Sequence, residues 1–205
     1  QTYARVGSSL LRSRQPEDEE LAGAVRAASR SDERVKVVAL EENGGISANS
    51  NAGIAAASGD FVCFFDHDDL IEPDLLYEYA LAVLEHPDTD LLYCDEDKKG
   101  EDGRHFDPFF KPDFNLDLLR NNNYICHMLT VRRGVLDQVG LLDPACDGAQ
   151  DHDLTLRVSE CARAYPSRAE DSVSLARERR IDGGRHRGQQ TLRHALPASV
   201  LSRTT

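Results

Sequence analysis

Apolar and polar positions along the chain follow first a helical and then a strand period. Between Glu17 and Arg30, Leu21, Ala24, Val25 and Ala28 recur at helical spacing, and Pro16 suits a first helical turn. Residues 35–40 (VKVVAL) form an apolar run of the length of a buried strand. Asn43-Gly44-Gly45 reads as a turn, and Ser47 is placed to cap a helix of small residues that runs to Ala57 and ends at Gly59. Residues 61–65 (FVCFF) predict a second buried strand that leads straight into Asp66-His67-Asp68-Asp69. Pro73 opens an amphipathic helix with Leu75, Leu76, Tyr79, Ala80, Val83 and Leu84 on one face, and Pro87 stops it. Residues 90–94 (DLLYC) predict a third strand. Strands and helices alternating at this spacing imply right-handed crossovers and a mostly parallel sheet. Residues 95–123 are polar and loop-rich, with Pro108 and Pro112. A strand over 124–131, a short helix over 133–139 and a helix over 150–160 complete the pattern, without internal repeats.

The composition sets the class. With 205 residues, 40% of them apolar and 29% charged, the chain has the size and core of one domain. A formal charge of −12 argues against a general nucleic-acid binder, which needs a basic face. No run approaches the roughly 18 apolar residues of a membrane span, and the sequence reads as having no signal peptide. The five cysteines are scattered, which points to a reducing cytoplasm rather than a disulfide framework. The charge is unevenly spread. Residues 163–205 carry nine Arg against four acids, a net +5, which leaves −17 on residues 1–162. Of the 13 aromatics only Tyr165 lies beyond residue 162. This split predicts a folded domain over 1–162 and a basic, unstructured tail over 163–205.

Ligands of open α/β sheets bind beyond the carboxyl ends of the strands. Asp66, His67, Asp68 and Asp69 occupy that place after the most apolar strand. Three carboxylates within four residues repel one another unless a positive charge lies between them. A hard divalent cation carrying a diphosphate answers that need, because Mg²⁺ or Mn²⁺ takes oxygen ligands and leaves positions open for phosphate. Each Asp taken singly is equally well explained as part of a solvated turn before the next helix; the cluster as a whole favours a metal. Gln150-Asp151-His152-Asp153 opens the last helix, where a carboxylate is either a plain N-terminal acid or a general base for a bound hydroxyl. Asp95, Glu96 and Asp97 follow the third strand as a further acidic group. His67, His127 and His152 read equally as structural hydrogen bonders, and His67 with His152 admits a metal-dependent phosphohydrolase.

Five stretches carry a resemblance: residues 41–80 (EENGGISANSNAGIAAASGDFVCFFDHDDLIEPDLLYEYA), 90–98 (DLLYCDEDK), 106–119 (FDPFFKPDFNLDLL), 122–133 (NNYICHMLTVRR) and 148–160 (GAQDHDLTLRVSE). In order and spacing, residues 35–160 resemble a family 2 glycosyltransferase of the bacterial polysaccharide and O-antigen, rhamnosyltransferase-like branch. The resemblance implies a GT-A fold: a Rossmann-like mixed sheet flanked by helices, here incomplete at its N-terminal edge because the family's first strand is missing. It implies transfer of a sugar from a nucleotide-sugar to a saccharide or lipid-linked acceptor, with Mg²⁺ or Mn²⁺ as cofactor. By position Asp66 and Asp68 are the D-x-D pair, Asp68 as metal ligand and Asp66 at the nucleotide ribose or the metal. Asp151 stands at the catalytic base, and Asn43, Gly45 and Asn51 lie in the nucleotide-side loop. Asp95, Glu96 and Asp97 lie near the donor sugar or acceptor. With one base and no evident nucleophile, inversion at the anomeric carbon is expected. A cytoplasmic protein follows, with peripheral association at the inner face of the membrane. Two rival readings are a catalytically impaired remnant and the phosphohydrolase built on Asp66-His67-Asp68.

The chain departs from the family pattern at both ends. Where the family reads Trp-Glu, apolar residues and Asp-Asp-Gly-Ser, residues 6–14 read VGSSLLRSR, without the Asp that grips the base. After Glu160 the family's His-Ile-Pro turn and Tyr-His-Trp-Arg strand are replaced by Arg163-Ala164-Tyr165-Pro166 and by residues 175–183 (LARERRIDG). Read one nucleotide later, with permitted codons, the first piece becomes Ala-His-Ile-Pro and the second Trp-Arg-Glu-Ser-Gly-Gly-Ser-Thr. Twenty Arg against four Lys fit a GC-rich gene. The expectation is translation out of frame near residues 4–14 and after about residue 162, with a genuinely divergent tail as the alternative.

Overall fold

The structure is a computed structural model that describes residues 8–12, 19–40, 42–66, 69–100, 102–165 and 175–178. Strand β1 (Ser8–Arg12) runs parallel to β2 (Val35–Ala39), Ser8 opposite Val35 and Arg12 opposite Ala39, with α1 (Glu19–Ser31) as the crossover. Helix α2 (Gly45–Ala56) leads to β3 (Phe61–Phe64), and β4 (Asp69–Ile71) to α3 (Leu75–Glu85) and β5 (Leu91–Leu92). A hairpin of β6 (Glu96–Lys99) and β7 (His105–Phe109) follows, then α4 (Leu116–Asn121) and β8 (Leu129–Arg132). Helix α5 (Arg133–Val139), a 3₁₀ turn at Pro144–Cys146, α6 (Gln150–Cys161) and β9 (Leu175–Glu178) complete the described elements.

The α/β class with a mixed sheet holds, but the mostly parallel order does not. Strand β8 lies between β3 and β5 and is antiparallel to both, with Val62 and Leu91 both opposite Val131. A second group runs β4-β9-β6-β7, in which only the β6–β9 pairing is parallel. On β5, Leu91 and Leu92 point to opposite faces, as successive strand residues must. Leu91 joins Tyr93, Tyr124, Ile125, Leu129, Val131, Leu136, Leu154 and Val158 in the larger core. Leu92 joins Leu75, Tyr79, Ala82, Cys94 and Met128 under α3. Strands β8 and β5 are therefore sandwiched between α3 and the layer that holds α5 and α6, while Cys63 on the edge strand β3 stays exposed.

Arg132, at the end of β8, locks this sheet. Its Nε donates to Thr89 O (2.8 Å) and to Asp90 Oδ1 (3.1 Å), its Nη2 donates to Pro87 O (2.8 Å), and the guanidinium lies 4.7 Å from the centre of the Phe61 ring. The buried Asp90 also accepts from Arg163 N (2.9 Å), and Tyr165 stacks on Phe114 at 4.0 Å between centroids. Packing therefore continues past residue 162, where the composition predicts the domain to end. Strand β9 also lies within the segment predicted to lack structure; the rest of that segment from residue 166, and residues 1–7, lie outside the described residues.

Several local expectations are corrected. Ser47 does not cap α2; it is buried in the first turn and donates to Asp143 O (3.3 Å), while its N–H goes to Asp147 Oδ1 (3.2 Å). Leu84 is 72% exposed, so the buried face of α3 is narrower and centres on Leu75, Tyr79 and Ala82. Of the two apolar strands expected to be buried, β2 has no fully buried residue and β3 buries only Val62. The third strand shrinks to two residues, and residues 95–123 hold a hairpin and a helix rather than loops alone. Among the described residues no helix is long and apolar enough to cross a membrane.

Candidate active site

Three groups of polar residues meet at one connector, residues 122–128, between α4 and β8, and a fourth stands at the start of α2. The first group is acidic and stands beyond the end of β3. The His127 ring lies between two carboxylates, with Nδ1 2.7 Å from Asp69 Oδ2 and Nε2 3.4 Å from Asp66 Oδ2. Asp66, Asp69 and His127 each present one ligand atom, and these atoms lie within 4.8 Å of one another. Asp66 is partly exposed, whereas Asp69 is held in place by β4. His67 and Asp68, expected in the same cluster, lie outside the described residues.

The second group follows β5. Asp95 is buried and accepts from Lys111 N (2.7 Å). Glu96 Oε2 accepts from Lys111 Nζ (3.0 Å). Asp97 pairs with His105 Nδ1 (2.9 Å) through Oδ2, while its Oδ1 is buried without a hydrogen-bond partner among the described residues. Of the three acidic residues expected near the sugar, Asp95 and Glu96 are thus both engaged by Lys111.

The third group is the first turn of α6. Asn123 Nδ2 donates to Asp151 Oδ2 (2.8 Å), which fixes the carboxylate at the positive end of the helix dipole. Its neighbours have structural roles. His152 is buried, with Nε2 2.6 Å from Leu119 O, which removes it from the histidine pairing behind a phosphohydrolase. Asp153 is fully buried and binds Arg157 Nε (2.9 Å) and Nη2 (2.7 Å), and Arg157 also donates to Val139 O and Leu141 O.

The fourth group is the nucleotide-side loop expected from Asn43, Gly45 and Asn51. Asn43 Oδ1 accepts from Gly45 N (3.1 Å) and Asn49 Nδ2 (2.9 Å) at the start of α2. Gly45 has φ +89°, a backbone conformation that favours glycine, and a Cβ there would press on the Asp147 carboxylate, 2.6 Å away. Asn51 is engaged on both sides of its amide: Nδ2 donates to Leu142 O (2.8 Å) and Oδ1 accepts from Leu142 N (3.0 Å). Its side chain therefore clamps α2 to the segment after α5.

Lys111 and Asn123 are not singled out by the sequence pattern. Lys111 stands in the apolar stretch FDPFFKPDF, where a lone lysine among aromatics was the available signal. Asn123, one of three consecutive asparagines, offered none, because its partner lies 28 residues away.

Comparison with known proteins places this geometry in context. The family model described as Glycosyl transferase family 2 matches residues 15–140. The O-antigen biosynthesis protein RfbC of Myxococcus xanthus is 39% identical over 184 residues, which cover 86% of this chain and 14% of that protein. The uncharacterized protein y4gI of Sinorhizobium fredii is 41% identical over 143 residues, or 70% of this chain and 16% of that protein. The chain thus spans only a small part of the length of these relatives. Among solved structures, S. aureus TarS 1-349 in complex with UDP-GlcNAc superposes with a TM-score of 0.66 at 22% identity, covering 87% of this chain and 50% of that one. The mannosyltransferase PcManGT from Pyrobaculum calidifontis in complex with GDP-Man and Mn²⁺ superposes with a TM-score of 0.58 at 15% identity, covering 88% and 48%. At these identities the likeness to the solved structures is one of fold.

Proposed function

The chain belongs to glycosyl transferase family 2 and has the GT-A fold, and from that premise we propose that it transfers a sugar from a nucleotide-sugar to a saccharide or lipid-linked acceptor in polysaccharide synthesis, with inversion at the anomeric carbon. The observation that carries this reading within the family is the three-ligand group of Asp66, Asp69 and His127 beyond the end of β3. Two carboxylate oxygens and an imidazole nitrogen suit Mn²⁺, and Mg²⁺ when phosphate oxygens supply further positions. Asp68 joins this set by family resemblance. A bound cation there would offset the negative charge that grows on the departing diphosphate.

The remaining chemistry belongs to the chain's own residues. Asp151 takes the proton of the acceptor hydroxyl as that oxygen attacks the anomeric carbon. The bond from that carbon to the diphosphate breaks, and its electron pair leaves with the diphosphate. Asn123 occupies Asp151 Oδ2 and leaves Oδ1 for the incoming hydroxyl. Asp97 stands near the donor sugar or the acceptor by family resemblance. Asn43 and Gly45 shape the nucleotide-side loop, and Asn51 holds it through Leu142. A nucleotide-sugar donor places the reaction in the cytoplasm, at the inner face of the membrane where the acceptor is lipid-linked.

The test is calorimetry of UDP and GDP with the 205-residue chain, with and without Mn²⁺. Binding that depends on Mn²⁺, together with release of sugar from a matching nucleotide-sugar, supports the proposal. Absence of nucleotide binding under both conditions makes the chain an impaired remnant, and cleavage of simple phosphoesters without nucleotide-sugar turnover makes it a phosphohydrolase.

A further inference from the structure

We infer that Lys111 is a positioning residue that sets the spacing between the two reactive ends of the site; the inference rests on the function proposed above. The Lys111 side chain is fully buried. Its ammonium donates to three acceptors from two separate parts of the chain: Glu96 Oε2 (3.0 Å), Ile125 O (2.6 Å) and His127 O (2.7 Å). Its own backbone N–H is fixed by Asp95 Oδ1 (2.7 Å). Burying an ammonium is costly, and here three acceptors offset that cost. What the ammonium adds is convergence, since two carbonyls two residues apart are drawn to one point.

The residue between those carbonyls is Cys126, with φ +46°. A side-chain-bearing residue seldom adopts this left-handed conformation unless its surroundings impose it. Lys111 imposes it by holding the carbonyls on both sides. The bend has functional residues at each end. Asn123, on one side, holds Asp151 Oδ2; His127, on the other, stands between Asp66 and Asp69. One buried charge therefore sets where the base stands relative to the metal-side carboxylates, while Lys111 itself touches no reacting atom.

Lys111→Met keeps the bulk and removes the ammonium; Lys111→Arg keeps the charge, but its planar fork does not converge on the same three acceptors. Three measurements apply to both variants of the full chain. Hydrogen exchange at the amides of residues 124–127 should quicken at least about tenfold, while the amides of Val131 and Leu154 stay as in the unmodified chain. The gain in UDP or GDP affinity on adding Mn²⁺ should shrink, with affinity in its absence unchanged. The kcat for transfer should fall about tenfold or more, because small misplacements of reacting groups cost that much. If Lys111→Met does not fold, Lys111→Arg carries the same measurements. Unchanged exchange at residues 124–127 in whichever variant folds overturns the inference, as does an equal rise at Val131 and Leu154, which would make Lys111 general support for the core. If the unmodified chain transfers no sugar, the proposed function fails, and the exchange comparison alone decides the role of Lys111.

Discussion

Replacing Asn51 by Ala separates two roles for one residue, binding a nucleotide and holding the fold. The side chain makes two hydrogen bonds to one residue, 2.8 Å to Leu142 O and 3.0 Å to Leu142 N, and Leu142 is 3% exposed. Alanine leaves a buried N–H and a buried C=O without these partners. At about 1–3 kcal/mol for each unsatisfied group, with partial relaxation, the expected loss of stability is about 2–4 kcal/mol. In urea, with a slope of about 2 kcal/mol/M, the unfolding midpoint should fall by about 1–2 M with the slope unchanged. Asn43→Ala is the control. Asn43 is exposed and its two bonds lie at the start of α2, so the loss there should stay within about 1 kcal/mol. The assay is urea unfolding followed by circular dichroism, with UDP and GDP calorimetry on the folded variants. An Asn51→Ala chain with an unshifted midpoint and abolished nucleotide binding would refute the clamp and restore Asn51 as a nucleotide ligand.

Two further predictions concern titrating groups. Tyr79 OH donates to Met128 O (2.9 Å) in the core under α3, and burial pushes its phenol well above the ordinary value of 10. The folded chain keeps this proton where the unfolded chain loses it, so the contribution is complete below about pH 10 and is lost as the pH rises further. Tyr79→Phe should lower stability by about 1–3 kcal/mol at neutral pH and flatten the alkaline decline; an unchanged alkaline slope would contradict the assignment. Asp32 accepts from Arg34 N (2.9 Å) and Nε (2.9 Å), and these bonds hold its carboxyl at about 2 instead of 3.8. The contact is in force above pH 3.8 and is lost as the pH falls toward 2. In a carboxyl NMR titration Arg34→Gln should return Asp32 toward 3.8, and a value that stays near 2 would disprove the cause.

The parts of this fold that a reader could see in the sequence are those with a strong local signal. Helices α1, α3, α5 and α6 follow from apolar spacing, and β2 and β3 from short apolar runs. The β6–β7 hairpin was hidden because β6 reads EDKK, with no apolar alternation, and β7 contains Pro108. That proline is tolerable on β7, which is the edge of its sheet. The antiparallel place of β8 was hidden as well, since a strand after a long irregular connector carries no mark of which neighbour it joins. Within the site, Asp66 and Asp151 were legible as acidic residues after a strand and at a helix start. Lys111 and Asn123 were not, because their meaning lies in partners 14 to 28 residues away. Asn51 was read by position alone, and only its two bonds to Leu142 show what its amide does.

The central claim is that this chain transfers a sugar with Asp151 as base. Its most direct test compares the chain with its Asp151→Asn variant against a panel of uridine-, guanosine- and thymidine-diphosphate sugars and a mixture of saccharide and lipid-linked acceptors. Asparagine keeps the shape and a contact with Asn123 but cannot take a proton at neutral pH. The account predicts that the variant binds the nucleoside diphosphate within about threefold of the unmodified chain while transfer falls at least about a hundredfold. Undiminished transfer by Asp151→Asn, or no transfer by the unmodified chain from any donor of the panel, would contradict it.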